Sequence, residues 1–410
     1  MYKPFEQKPM KLFEGIMDWK TVYPKPYSKN EVDPYTKIRI ILMNSIETEA
    51  TMFGHQFHRH CADNELRREL AMLRRVEQLQ QKHINWLKPL DESQIETTIG
   101  YEHVAVDLTA WLAQNEPDRN VKQSLDFALL EDFDHLYRYA NLLDLDKNIP
   151  AQKLTKSYVD ITPGRPTIAE HRHPHDTVFY HIDSTLIITA GEQQTMNFYN
   201  NIGNTYDNDC GRKLYLEIAM IEEEHVTQYG SLLDPNCTWL ENLLMHEYME
   251  CYLYYSFYQD EQDASIKSVW ELHLNQELSH LNKAAELLNK YEGTDWNEIV
   301  PAEFPKLLQF HDTRDYVRQV LVNQIELASC KETLKNINEL APDHRYFEYQ
   351  NRVNHDVNAL ETHAIIDKHI QQKGQDYRDE SKPNPVPGLT DRKYDNIEIA
   401  RTKTSEINTN

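Results

Sequence analysis

The chain repeats itself at a distance of 145 residues, and the positions that repeat are largely acids. Moved forward by that distance without a gap, Glu47 falls on Glu192, Glu77 on Glu222 and Glu102 on Glu247; Asp132 meets Glu277, His135 meets His280, and Gln80 meets His225. Self-similarity at a fixed period means that one structural unit is used twice. Both copies carry helical periodicity, from about Lys37 to Asp146 and over roughly 181–291. Strands and tight turns consume glycine, and only 11 occur in 410 residues, so long helices and an all-α fold are expected.

The repeated acids sit on apolar stripes. One predicted helix reads Trp270, Leu274, Glu277, Leu281, Ala284, Leu288, and its first-copy equivalent reads Leu125, Leu129, Asp132, Leu136, Tyr139, Leu143. Leu214, Ile218 and Ile221 lead into Glu222 and His225; Ile188, Glu192, Met196 and Tyr199 mark another helix, and Leu240, Leu244, Glu247 and Tyr254 a fourth. Apolar residues at three-four spacing turn one face to a core, so these acids are expected to be buried. An unpaired buried carboxylate costs several kcal/mol, and no run of Lys or Arg is available on these stripes of the second copy. Two divalent ions would neutralise four carboxylates.

The spacing suits that chemistry. Glu222-x-x-His225 and Glu277-x-x-His280 each place a carboxylate and an imidazole on one helix face, and imidazole suits iron, manganese or zinc. The order Glu192, Glu222-x-x-His225, Glu247, Glu277-x-x-His280 resembles the signature of the ferritin-like di-iron/di-manganese carboxylate superfamily, which includes the rubrerythrins. The resemblance implies a four-helix bundle over 181–292 holding two Fe or Mn ions. On it, Glu222 and Glu277 bridge the metals, Glu192 and Glu247 are terminal ligands, and His225 and His280 serve one metal each. Glu250 is similar to the additional carboxylate of rubrerythrin-type peroxidases and is grouped with Glu222 and Glu277 as catalytic. One departure stands out: only 22 positions separate His225 from Glu247, where the family has a long crossover. The segment SLLDPNCTW, fully extended at about 3.3 Å per residue, spans roughly 30 Å and is just long enough; the alternative is a simple up-down-up-down bundle, in which the bridging roles would change.

The first copy, 35–147, is expected to form a second bundle with a degenerate site made of Glu47, Glu77, Glu102, Asp132 and His135. Gln80 replaces a histidine there, and amides bind transition metals poorly. Glu49, His55, His58, His83 and His103 lie near enough in sequence to rebuild it. The remaining segments read as an extended N-terminal stretch (1–34), a Pro-containing linker (148–180), C-terminal helices (293–372) and a disordered tail (373–410). Helices are expected over DYVRQVLVNQIELASCKETLKNINEL and YQNRVNHDVNALETHAIIDKHIQQ. In the linker, His171, His173 and His175 read as a solvated turn before an exposed metal site. Tyr248, Tyr252, Tyr254, Tyr255 and Tyr258 read as packing residues, a redox tyrosine being the alternative.

Composition limits the partners. With 66 acidic against 43 basic residues the net charge is −23, which disfavours nucleic acid and anionic membrane surfaces. Five dispersed cysteines exclude a CxxC-type iron or zinc module and argue against a disulfide framework. No apolar run of 18 residues exists and the N-terminus lacks an apolar signal core, so a cytoplasmic location is expected. The resemblance implies an oxidoreductase of the peroxidase, catalase or oxygenase type, acting on O2 or peroxide with an external electron-donor protein, a homodimer being compatible. The alternative is a metal-binding scaffold or sequestration protein without turnover. On this grouping of ligands, Glu222→Ala with Glu277→Ala abolishes binding of both metals, whereas replacing Glu77 and Asp132 leaves metal content nearly unchanged; metal analysis of the purified variants checks both.

Overall fold

Short polar side chains set the helix starts, and the caps recur with the sequence repeat. The computed structural model describes residues 2–161, 183–234, 236–324, 327–330, 333–336, 341–343 and 361–373. Its helices are α1 (Trp19–Val22), α2 (Pro34–His60), α3 (Asn64–Asn85), α4 (Gln94–Asn115), α5 (Arg119–Lys147), α6 (Ala151–Thr155), α7 (Asp183–Ile202), α8 (Asp209–Gly230), α9 (Trp239–Asp260), α10 (Ala264–Glu292), α11 (Arg314–Gln324) and α12 (Glu361–Lys373). The pairs α3/α8, α4/α9 and α5/α10 begin and end 145 residues apart. Their caps match as well. Asp63 accepts from the Leu66 amide at 2.7 Å and Asn208 from the Gly211 amide at 2.9 Å. Ser93 with Glu96 and Thr238 with Glu241 form reciprocal capping boxes, while Asp118 and Asp263 cap α5 and α10. Each such cap stabilises its helix by about 1 kcal/mol.

The fold is helical, as the periodicity predicts, except at one place. Helix was expected throughout DYVRQVLVNQIELASCKETLKNINEL, but α11 stops at Gln324. An antiparallel hairpin follows, β1 (Leu327–Cys330) and β2 (Thr333–Asn336), with Leu327 opposite Asn336 and Cys330 opposite Thr333. Ser, Cys and Thr are poor helix formers, and three of them fall at 329, 330 and 333. Of the second expected stretch, α12 covers Glu361 onward, and the residues before it lie outside the described ones. Among the described residues no helix is long and apolar enough to cross a membrane.

The helices divide into two compact units, and the division does not follow the two copies. The first unit takes residues up to 92, 180–194 and 233–310; the second takes the rest. The first is therefore built on α2 and α3 from the first copy with α9 and α10 from the second. In it, α2 pairs with α3 and α9 with α10 through three-residue connections, and α2 also meets α9 while α3 meets α10. The N-terminal stretch belongs to this unit. Phe5 stacks on Trp296 with centroids 3.8 Å apart, the Phe304 amide donates to the Tyr2 carbonyl, and the Gln276 amide donates to the Gly15 carbonyl at 2.7 Å.

The second unit holds α4, α5, α6, α8, α11, α12 and the later part of α7, which the division cuts after Gln194. Its core includes Ile99, Phe133, Leu143, Leu214, Ile218 and Val317. Gly211 lies against Tyr206 so closely that a Cβ there would stand 2.2 Å from the ring, which excludes any other residue without rearrangement. The first part of the expected linker is not a linker: Ala151, Val159 and Ile161 are buried in this core. His171, His173 and His175, like the tail from residue 374, lie outside the described residues.

Connection length limits how the helices of one copy can follow each other. Eight residues join α3 to α4 and eight join α8 to α9. Fully extended they span about 26 Å, whereas a 22-residue helix such as α3 or α8 is about 33 Å long. These connections exclude a crossover that would set the third helix parallel to the second, although an antiparallel turn needs fewer residues. In the structure each copy's last two long helices, α4–α5 or α9–α10, lie in a different unit from its α3 or α8. Fragments 1–162 and 163–410 produced separately should each lack cooperative unfolding, because each carries only part of every unit; co-expressed, they should form a stable complex. Two independently stable fragments in thermal denaturation would contradict the exchange.

Candidate metal centre

In the first unit four helices aim carboxylates at one another. Glu47 comes from α2, Glu77 from α3, Glu247 and Glu250 from α9, and Glu277 and His280 from α10, and all six residues are buried. Each occupies a stripe position, so the packing that buries its apolar neighbours buries the acid too. Glu77, Glu247, Glu277 and His280 offer ligand atoms within 4.8 Å of one another, and so do Glu47, Glu77 and Glu250. Glu77 belongs to both groups. Its Oε1 lies 2.6 Å from His280 Nδ1, which is also 3.0 Å from Glu277 Oε2 and 3.5 Å from Glu247 Oε2. Gln80 donates its side-chain N–H to Glu277, and Tyr254 donates its hydroxyl to the Oε1 of Glu47. Neither oxygen of Glu250 has a hydrogen-bond partner, and it is fully buried.

The electrostatics follow from that crowding. Burial, then repulsion from Glu77, pushes Glu250 and Glu247 well above the ordinary carboxylate range, and burial with Glu77 and Glu277 does the same to Glu47. Burial and Glu277 raise Glu77. Burial alone would lower His280, but Glu277 and Glu77 beside it lift it well above the usual imidazole range. Burial also acts against Glu277, yet His280 holds its carboxyl low. Five carboxylates thus share one imidazole, and protons or metal cations must make up the difference. Among the described residues the buried Arg39 of this unit is committed elsewhere, to Asp260 and Glu261.

The second unit gathers a related set. Glu102 of α4, His135 of α5 and Glu222 of α8 bring ligand atoms within 4.8 Å of one another. Glu222, the repeat partner of Glu77, again stands between others: its Oε1 is 2.9 Å from His135 Nδ1 and its Oε2 is 3.1 Å from His225 Nδ1. His225 Nδ1 is 3.7 Å from Asp132 Oδ1, and its Nε2 is 2.5 Å from Glu131 Oε2. Tyr199 donates its hydroxyl to Glu102, and Thr109 donates to Asp132 Oδ2 at 3.1 Å. A buried cation from the first copy is present here. Arg138 lies 2.5 Å from Asp134 and 3.1 Å from Glu217. Burial, Arg138 and His225 all hold the His135 imidazole well below its ordinary value, in its neutral, ligating form.

The expected six ligands therefore do not come together. Glu247, Glu277 and His280, with Glu250, are in the first unit beside Glu47 and Glu77. Glu222 and His225 are in the second beside Glu102, Asp132 and His135. Glu192 is buried on α7, the helix whose two ends group with different units. One complete and one degenerate site give way to two mixed groups, and Glu77 becomes a shared residue where it was expected to be dispensable. The histidines offered as substitutes lie elsewhere: His103 pairs with Asp107 at 2.9 Å, His83 with His273 at 2.9 Å, and His55 with Gln78 at 3.3 Å. Glu49 faces His246 at 3.2 Å. Of the α9 tyrosines only Tyr254 meets a candidate ligand; Tyr248 and Tyr252 donate to the Glu303 and Lys306 carbonyls, Tyr255 stacks on Tyr2, and the Tyr258 ring lies under Lys267. Sequence reasoning missed the roles of Glu131, Thr109 and Tyr199. Glu131 faces Gln276 in the repeat alignment, so the self-comparison carries no signal for it.

No known family pattern, curated protein or solved structure matches the chain. The raised carboxylates set a pH dependence for metal-free protein. A carboxyl raised on folding holds its proton longer in the native state, so stability falls as pH climbs above the ordinary carboxylate range, about 4.3 for Glu. His280, also raised, adds a loss at higher pH, as pH passes through its folded value. Metal-free protein should therefore show a falling Tm from pH 5 upward. Saturating Mn(II) should flatten the slope; identical slopes with and without metal would contradict the assignment.

Proposed function

We propose that the chain is a ferritin-like dinuclear-metal oxidoreductase acting on O2 or peroxide, built from two four-helix bundles that exchange helices between repeated halves. The observation that carries this reading is Glu77: a buried carboxylate common to two ligand groups, to which α2, α3, α9 and α10 contribute five acids and one imidazole. Iron or manganese bound there would supply electrons to an oxygen–oxygen bond and take them back from a donor. Glu77, common to both groups, would help hold the ions of the first unit, and Glu222 would join Glu102 and His135 in holding one in the second. Glu192 lies two turns before Tyr199, on the same face of α7, and is the candidate ligand from that helix.

The chain's own residues account for the remaining requirements. The five acids and one imidazole of the first centre are each at most 3% exposed, which keeps out bulk water and favours a diatomic or peroxide-sized oxidant. Tyr254 keeps its proton, because burial and Glu47 raise its phenol well above the ordinary range, and with it the hydroxyl orients Glu47. Tyr199 holds Glu102 in the same way. Such supporting hydrogen bonds typically change metal affinity about 10–100-fold when removed.

Full-length protein loaded with Fe(II) or Mn(II) should turn over hydrogen peroxide, or consume O2 with an added reductant, and the metal-free chain should not. Tyr254→Phe should keep the fold and weaken metal retention by about tenfold. Tight metal binding without any turnover would favour a sequestration or scaffold role instead.

A further inference from the structure

The two halves of the first centre are chemically unlike. One is Glu77, Glu247, Glu277 and His280, three carboxylates and an imidazole; the other is Glu47, Glu77 and Glu250, carboxylate oxygen alone. The repeat shows how the difference arose. Where the second unit has His225, the first has Gln80, whose amide is turned to Glu277. Where the second unit has Ala105, the first has Glu250. Relative to the second unit, the first centre has one imidazole fewer and one carboxylate more.

That oxygen-only half is built to receive a cation. Both oxygens of Glu250 and the Oε2 of Glu47 are without hydrogen-bond partners, on side chains that are fully buried. Tyr254 ties down the other oxygen of Glu47, leaving Oε2 for the shared space. Ligand type then discriminates between ions. Imidazole favours iron and zinc, whereas carboxylate-only sites suit hard ions such as Mn2+ or Mg2+, because they do not offer the nitrogen that gives later transition metals their advantage.

We propose that the first unit holds a mixed pair: a hard, oxygen-preferring divalent ion on Glu47, Glu77 and Glu250, and iron on Glu77, Glu247, Glu277 and His280. This rests on the reading above that the buried carboxylates hold divalent metals, and its test separates the two. Full-length protein is reconstituted anaerobically with equimolar Mn(II) and Fe(II), crystallised, and its anomalous differences are recorded on either side of the manganese and iron edges. Manganese at the Glu250 side and iron at the His280 side are expected, with each ion at least severalfold enriched. The same mixture at both positions would overturn the mixed pair while leaving a dinuclear centre standing; no ion at either position would overturn both. In solution, Glu250→Gln should lose manganese and keep iron, and Gln80→His should raise the iron-to-manganese ratio of the reconstituted protein. Loss of both metals from Glu250→Gln, or an unchanged ratio in Gln80→His, counts against the proposal.

Discussion

Like charges buried together are the constraint on which the rest of this structure depends. Glu47, Glu77, Glu247, Glu250 and Glu277 all lie in the water-poor interior of one unit, with His280 as the one imidazole among them. Each would cost several kcal/mol as an unpaired ion. The helices nevertheless pack around them, because the acids replace apolar residues at single positions of otherwise apolar stripes. The fold tolerates such positions when protons or metal cations supply the missing charge. Metal chemistry on the proposed reading and the upward-shifted carboxyls are two consequences of that one arrangement.

The second constraint is the length of the chain between helices. Eight-residue connections after α3 and α8 are shorter than the helices they would have to retrace, which excludes a crossover within either copy, and the halves of the repeat lie in different units. The two groups therefore have unlike partners. Glu77 and Glu222 occupy equivalent positions and each stands between other ligands, but Gln80 and Glu250 mark the first centre while His225 and Glu131 mark the second.

Much of this was legible from residues alone. The 145-residue period located the candidate ligand positions, and the stripes correctly placed Asp132, Glu222, Glu247 and Glu277 inside the protein. All-helical architecture followed from periodicity and scarce glycine, failing only where Ser329, Cys330 and Thr333 weaken the helix. Partnership was not legible. Periodicity says which face of a helix is buried but not against which helix, and two copies of one pattern offer two pairings. The segment before the third helix, read from nine residues as just long enough for a crossover, is one residue shorter in the structure and falls short of the helix it would retrace. Tyr199, Thr109 and Glu131 were invisible as supporting groups because their importance lies in contacts between helices, in the case of Tyr199 and Glu131 between helices distant in sequence. Arg138 was visible as a basic residue, but its burial beside Asp134 and Glu217 was not.

The central claim is that divalent ions hold these carboxylates together, and proton release tests it most directly. Calorimetric titration of metal-free full-length protein with Mn(II), repeated in buffers of different ionisation enthalpy, measures both binding and the protons displaced. The account requires tight binding at more than one site per chain, with release of protons from the raised carboxyls and His280. A folded protein that binds no Mn(II), or binds it weakly without releasing protons, would contradict it.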